Sequence, residues 1–244
     1  KLQLTRIISL LLLCALILPA EAQHQGWLEF RFVNIANQKP IVLRDSTYIN
    51  AHQEEYTISK LKYYVSNFSL IQPLNLSDEH NYQLIDVAGN TDFKIPVAEG
   101  SYPSIGFLLG IDSIKHCSGA QAYALDPMND MFWTWNTGYV IFKLDGLSPQ
   151  SSADRNRIEH HLGGYKAQQA VSTPLQFKLE QPLLIEKDKT TIIILEMDLD
   201  AYWNGEEKIS IASDPVCARP GTQAMSFAMN FQHMFKVVKI QNPE

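Results

Sequence analysis

Trp27-Leu28-Glu29-Phe30-Arg31-Phe32-Val33 alternates apolar and polar side chains at period two for most of its length, the pattern of a strand with one face buried. Residues 62–71 (KYYVSNFSLI) are rich in the β-branched and aromatic side chains that fit a pleated surface. So are residues 82–87, 106–111, 139–144, 175–179, 190–197 and 235–240. Short runs of this kind, separated by Gly, Pro, Asn and Asp, predict a sandwich or barrel. Helical periodicity is weak: residues 151–157 read as a turn or solvated loop, and residues 198–205 as a short helix. There is no internal repeat, low-complexity tract or linker. The expected fold is all-β, a single β-sandwich domain over residues 23–244 with long functional loops.

Residues 1–22 read as a signal peptide outside that fold. Lys1 and Arg6 precede an apolar run (IISLLLLCALIL, residues 7–18), and Ala20-Glu21-Ala22 supplies an A-x-A cleavage pattern. The run is short for a membrane span, and no later stretch is apolar enough to be one. Cys14 lies in the run without the small residue that precedes a lipidated cysteine. The expected location is outside the cytoplasm: periplasmic, on the cell surface, or secreted.

The formal net charge is −6 and no basic stripe is present, which argues against a nucleic-acid partner. Beyond the leader only Cys117 and Cys217 remain. In an oxidising compartment their simplest fate is one long-range disulfide, with a thiolate copper ligand as the alternative.

Motifs for most enzymatic chemistry are missing. The chain has no HxxxH or HExxH, no Cys/His cluster with structural-zinc spacing, no G-x-S-x-G elbow and no phosphate-binding loop. A triad of Ser118, His161 and some Asp can be drawn, as in any chain of this length, so an enzyme is not expected.

Metal ligation is better supplied. Glu159-His160-His161-Leu162-Gly163-Gly164 puts two imidazoles side by side, and neutral imidazole suits copper and zinc. In an extended segment adjacent side chains point opposite ways, so at most one of His160 and His161 faces a given site. His116 and His233 are further candidate ligands; His233 lies in the run Met229-Asn230-Phe231-Gln232-His233-Met234-Phe235, where Met is an acceptable copper ligand but more often packs. Asp126-Pro127-Met128-Asn129-Asp130 is turn chemistry, whose oxygens offer a weak calcium site.

Residues 131–139, MFWTWNTGY, carry two of the four tryptophans two positions apart. On a strand, Met131, Trp133 and Trp135 would share one face as an oxidisable patch. It would be core, or something chemical. The weakly patterned stretches 112–131 and 145–174 flank it on both sides.

Several blocks together resemble the MbnP-like copper-binding proteins, the methanobactin-associated periplasmic and surface family. They are Gly110-Ile111-Asp112-Ser113, Ser118-Gly119-Ala120, Ala124-Leu125-Asp126-Pro127, the MFWTWNTGY run, His161-Leu162-Gly163-Gly164, the Lys62–Asn67 segment (KYYVSN), and the closing Asn230-Phe231 and Met234-Phe235. The resemblance covers most of the chain beyond the leader, in order. It implies a β-sandwich that binds copper at a site built from histidines and a tryptophan oxidised to kynurenine. It also implies a partner, a di-haem enzyme of the MauG or peroxidase type, that performs the oxidation. Carried onto this chain, the modified residue is Trp133 or Trp135, His161 is a ligand, and the second histidine is His233, His160 or His116. Some members have a Trp-x-His pairing where this chain has Trp133-Thr134-Trp135. The alternative function is a metal-free cell-envelope binding or structural module with an aromatic platform.

Overall fold

The computed structural model describes residues 24–134 and 136–243. The expected signal peptide, Cys14 and Trp135 lie outside the described residues. The first half of the chain supplies strands β1 (Gln25–Ala36), β2 (Lys39–Pro40), β3 (Thr47–Ile49), β4 (Glu55–Ser69), β5 (Tyr82–Asp86), β6 (Asp92–Ala98) and β7 (Gly100–Leu109). The second supplies β8 (Phe132–Thr134), β9 (Gly138–Leu147), β10 (Arg157–Gly163), β11 (Thr173–Ile185), β12 (Thr190–Asp198), β13 (Val216–Cys217) and β14 (Phe235–Gln241). Four short helices lie between them: α1 (Asp78–Asn81), α2 (Ser113–His116), α3 (Leu199–Trp203) and α4 (Thr222–Ala228).

The strands form two sheets. One runs β14-β12-β1-β2, with β6 also paired to β1; the other runs β11-β7-β4-β9-β10-β13, with β3 and β5 on β4 and β8 on β9. The β1–β12 and β10–β13 pairs are parallel and the others antiparallel. The all-β expectation holds.

The alternation that opens the chain sets the core. Leu28, Phe30 and Phe32 of β1 are buried between the sheets, while Trp27 and Val33 are exposed. Phe32 meets Tyr63 of β4, Phe107 of β7 and Phe235 of β14, with ring centroids 6.0–6.3 Å apart and edges on faces. Each such ring removed from water stabilises the fold by about 1.5–3 kcal/mol. One contiguous cluster of buried side chains joins both sheets.

Two features differ from expectation. Residues 145–174 are not one long loop, because β10 lies within them and pairs with β9. Ile158, His160 and Leu162 are buried and alternate with less buried Glu159 and His161, so a histidine occupies a core position that reads as polar. Residues 112–131 are loop-like as expected, with α2 and two 3-10 turns, and fold down over the β4–β9 surface. Tyr64 donates to the Ala124 carbonyl at 2.9 Å, and Lys143 donates to the carbonyl of Asp130. Among the described residues no helix is long and apolar enough to cross a membrane.

Candidate metal centre

The tryptophan run folds into a tight hairpin, in which Phe132 pairs with Tyr139 and Thr134 with Gly138. Gly138 has φ +73°, a backbone conformation that favours glycine, and a Cβ there would strike the His116 ring. The Phe132 ring packs on Tyr139 with centroids 4.8 Å apart. Trp133, half-buried, lies over β10: a Cβ built at Gly163 would come within 2.7 Å of Trp133 Cζ3 and strike the Tyr139 carbonyl. Glycine at 163 therefore makes room for the indole. Met131 does not extend an exposed patch, since it is fully buried and its carbonyl accepts from Val140 N.

His116 ends α2, whose N-cap Asp112 accepts from the backbone N–H groups of Ile114 and Lys115. That helix drives the imidazole under the hairpin, where it is 1% exposed. Nδ1 accepts from Tyr139 N at 3.2 Å, the Tyr165 ring lies 5.2 Å away, and Nε2 has no partner. Burial lowers the His116 pKa to about 4, outweighing the favourable Asp112 charge, so the ring is neutral near pH 7. A buried ring nitrogen without a bond costs free energy that a ligand would recover.

His161 lies on the opposite face of β10 from His160, as strand alternation predicts. Its Nε2 bonds Asp145 Oδ1 at 2.6 Å; the carboxylate can only accept, so Nε2 carries the proton. Nδ1 then holds the lone pair, with Glu159 Oε1 3.8 Å away. A histidine oriented through one nitrogen by a carboxylate, with the other free, is the arrangement found behind metal-bound imidazole. His161 precedes by two residues Gly163, against which Trp133 rests, and the pairing of β10 with β9 shifts register between Leu162 and Gly163. The Tyr139 peptide stands between the two histidines' neighbourhoods, its N–H on His116 and its carbonyl against Gly163.

Other predicted site residues are employed elsewhere. His160 is fully buried, with Nε2 bonding the Asp214 carbonyl at 2.7 Å and Nδ1 the Tyr202 hydroxyl at 2.8 Å. Both nitrogens are spent, so it is a core histidine and not a ligand. His233 is exposed on the 3-10 turn Met229–His233, with Gln232 for a partner. Cys117 and Cys217 are free thiols and not a disulfide: Cys117 is exposed after α2 and Cys217 buried on β13, where burial pushes its thiol up to about 11. The carboxylates of the loop offered for calcium are engaged within the fold. Asp126 caps a turn by accepting from Met128 N, and Asp130 is paired with Lys60 at 2.6 Å and Lys143 at 3.0 Å. Burial pushes the Asp130 carboxyl up, but the bonds and charges of Lys60 and Lys143 outweigh it and bring it to about 2. Among the described residues, no three His, Cys, Asp or Glu side chains converge as a ready metal group.

The family profile of MbnP matches residues 25–240, nearly the whole described chain. The chain belongs to the MbnP family. Among solved structures, MbnP from Methylosinus trichosporium is similar in fold, with a TM-score of 0.55 at 15% identity. That alignment covers 82% of this chain and 87% of the other. No curated protein matches the chain. Membership associates the chain with methanobactin-related, copper-associated proteins.

Within this MbnP member, sequence reasoning missed Asp145, Tyr139 and Tyr165. Each reaches its histidine through strand register or loop packing, which a single sequence does not display. The Gly163-Gly164 pair following His161 was the available signal: small residues on a strand mark a close approach, here of Trp133.

Proposed function

We propose that this chain is an exported copper-binding protein whose metal site forms at the β8–β9 hairpin. The observation that carries the reading is His116: a neutral, buried imidazole with an unpartnered nitrogen, packed under the tryptophan hairpin. His161, oriented by Asp145, supplies the second imidazole. Two imidazoles alone could hold Cu(I) only in a linear arrangement, and among the described residues no third His, Cys, Asp or Glu joins them. A donor made from Trp133 or Trp135 supplies a third. Opening an indole to kynurenine, with O2 or peroxide as oxidant cleaving the C2–C3 bond and C2 leaving as formate, exposes an aryl amine and a ketone where a poor ligand stood. A di-haem enzyme of the MauG type, drawing electrons from the half-buried Trp133 or from Trp135, is the partner that performs the oxidation.

The residues fit the ion on one condition. With Tyr139 N–H on Nδ1, the neutral His116 ring carries its proton on Nε2. His116 would hold the ion through Nε2 only with that proton on Nδ1, where the bond from Tyr139 would be given up.

The test is peptide mass spectrometry on protein from its native host, with copper measured on the same sample. The expected result is loss of one carbon and gain of one oxygen on the peptide holding Trp133 and Trp135, together with stoichiometric copper. An unmodified peptide without copper would leave a family member that does not use this site.

A further inference from the structure

The two sheets end in strands that flank an open seam: β11 is the last strand of one sheet and β14 of the other. The outer edge of such a strand carries a row of backbone N–H and C=O groups with no ladder partner. At one end the seam is clipped by a side chain. Asn242 Oδ1 accepts from Leu184 N at 2.9 Å, and its amide nitrogen donates to the Pro182 carbonyl at 3.2 Å. That carboxamide gives β11 the one acceptor and one donor that a residue of a neighbouring strand would give. Beyond the clip, among the described residues, no hydrogen bond joins the two strands, and a cleft of about 410 Å³ runs between residues 176–181 and 235–240. Phe177, Leu179, Phe235 and Val237 are buried or half-buried and give it an apolar lining, whereas Lys178 and Lys239 are exposed on its two lips. Lys236 is paired with Glu196 at 2.6 Å, but among the described residues neither Lys178 nor Lys239 has an acidic partner, and Glu180 is the one carboxylate on the lining.

We propose that this seam takes up an extended acidic segment of another protein by strand addition, its backbone bonding the free edge as the Asn242 carboxamide does at the clip. Main-chain bonds would hold such a segment, and the side chains around it would select its sequence. Side chains of an extended segment alternate, so one set meets the apolar lining while the other reaches the lips. The lips call for carboxylates: in a chain of net charge −6, Lys178, Lys236 and Lys239 against Glu180 make the seam locally basic. A second copy does not suit it. Two β14 edges paired antiparallel about Val237 and Val238 would set Lys236 opposite Lys239, and like charges directly opposite destabilise a pair. Lysines on an edge guard against pairing in general. Here the guard works against a basic strand, this chain's own included, and lapses for an acidic one. The seam shares no residue with the hairpin and stands or falls apart from it.

The experiment is a fluorescence anisotropy titration of the protein into labelled synthetic peptides. One alternates valine and glutamate, one alternates valine and lysine, and one is the valine–glutamate peptide N-methylated throughout, which keeps the side chains and removes the ladder donors. Only the first should bind saturably, and added salt should weaken it, because the charges on the lips are exposed. Lys178→Glu with Lys239→Glu sets like charges against the peptide and should weaken binding about tenfold or more. Both positions are exposed and away from the core, so the double variant should fold. A second measurement needs no variant: amide NMR signals of residues 176–181 and 235–240 should shift as the valine–glutamate peptide is added, and those of residues 132–139 should not. The proposal is overturned if that peptide does not bind, if the lysine or the N-methylated peptide binds as well, if the folded double variant binds as before, or if the shifts fall elsewhere. Dodecanoate moving the same signals where the peptide does not would overturn it in favour of an acyl chain with a single carboxylate.

Discussion

The backbone N–H of Tyr139 points at Nδ1 of His116, 3.2 Å away, and leaves the far side of a fully buried imidazole without a partner. Burial also holds this ring, and that of His160, at a pKa of about 4. The ordinary value is about 6.5, so the unfolded chain takes up more protons than the folded one between these values. Stability is therefore greatest above about pH 6.5 and falls as pH drops toward 4, by about 3 kcal/mol per histidine once both values are passed. Urea midpoints measured at pH 7, 5.5 and 4.5 should decline in that order. A flat profile would contradict neutral, buried rings.

His160→Ala should be among the most destabilising single changes in the chain. It strands the Tyr202 hydroxyl and the Asp214 carbonyl and opens a cavity against Trp203 and Phe227, whose ring centroids lie 5.6 and 5.1 Å from the imidazole. A loss of about 3–5 kcal/mol is expected. Copper stoichiometry in whatever protein remains folded should be unchanged. Thermal melting and metal analysis of one sample check both halves.

The neighbouring histidines show how far a sequence alone carries such a chain. The strand pattern of residues 27–33 and 190–197 was legible, because alternation or an apolar run states which faces are buried. Adjacent histidines on a strand had to diverge, and they do. Which one turned inward was not legible, since it depends on the pairing of β10 with β9, His160 opposite Leu144 and His161 opposite Lys143. His116 reaches the hairpin across a long loop, and no local rule joins positions 116 and 138. The disulfide failed for a similar reason: two cysteines and an oxidising compartment say nothing about whether the fold brings the sulfurs together.

Gly163→Ala tests the seat of Trp133. The added methyl would stand 2.7 Å from the indole and also against the Tyr139 carbonyl, backbone that cannot give way cheaply. The change should destabilise by about 1–3 kcal/mol, as overpacking does. It should also shift the tryptophan emission toward the red as the indole is displaced into water. Fluorescence beside a denaturant melt separates the two effects. An unmoved spectrum would mean that Trp133 does not rest there in solution.

His161 and Asp145 make the sharpest test of the copper reading, because the two substitutions should fail differently. His161→Ala removes a nitrogen and should abolish stoichiometric binding at the hairpin. Asp145→Ala leaves the imidazole in place but removes the carboxylate that fixes its tautomer through the 2.6 Å bond to Nε2. Without it Nδ1 carries the lone pair for only part of the time, and the ring is free to turn. Copper should still bind at full stoichiometry, about 10–100-fold more weakly. Competition with a chromophoric Cu(I) chelator measures this on protein carrying the modified tryptophan. Both sites are solvent-facing and partly exposed, with side chains 15% and 22% accessible, so neither change should unfold the chain. Equal loss from the two variants would mean that Asp145 is itself a ligand. No loss from either would move the copper site away from His161 altogether.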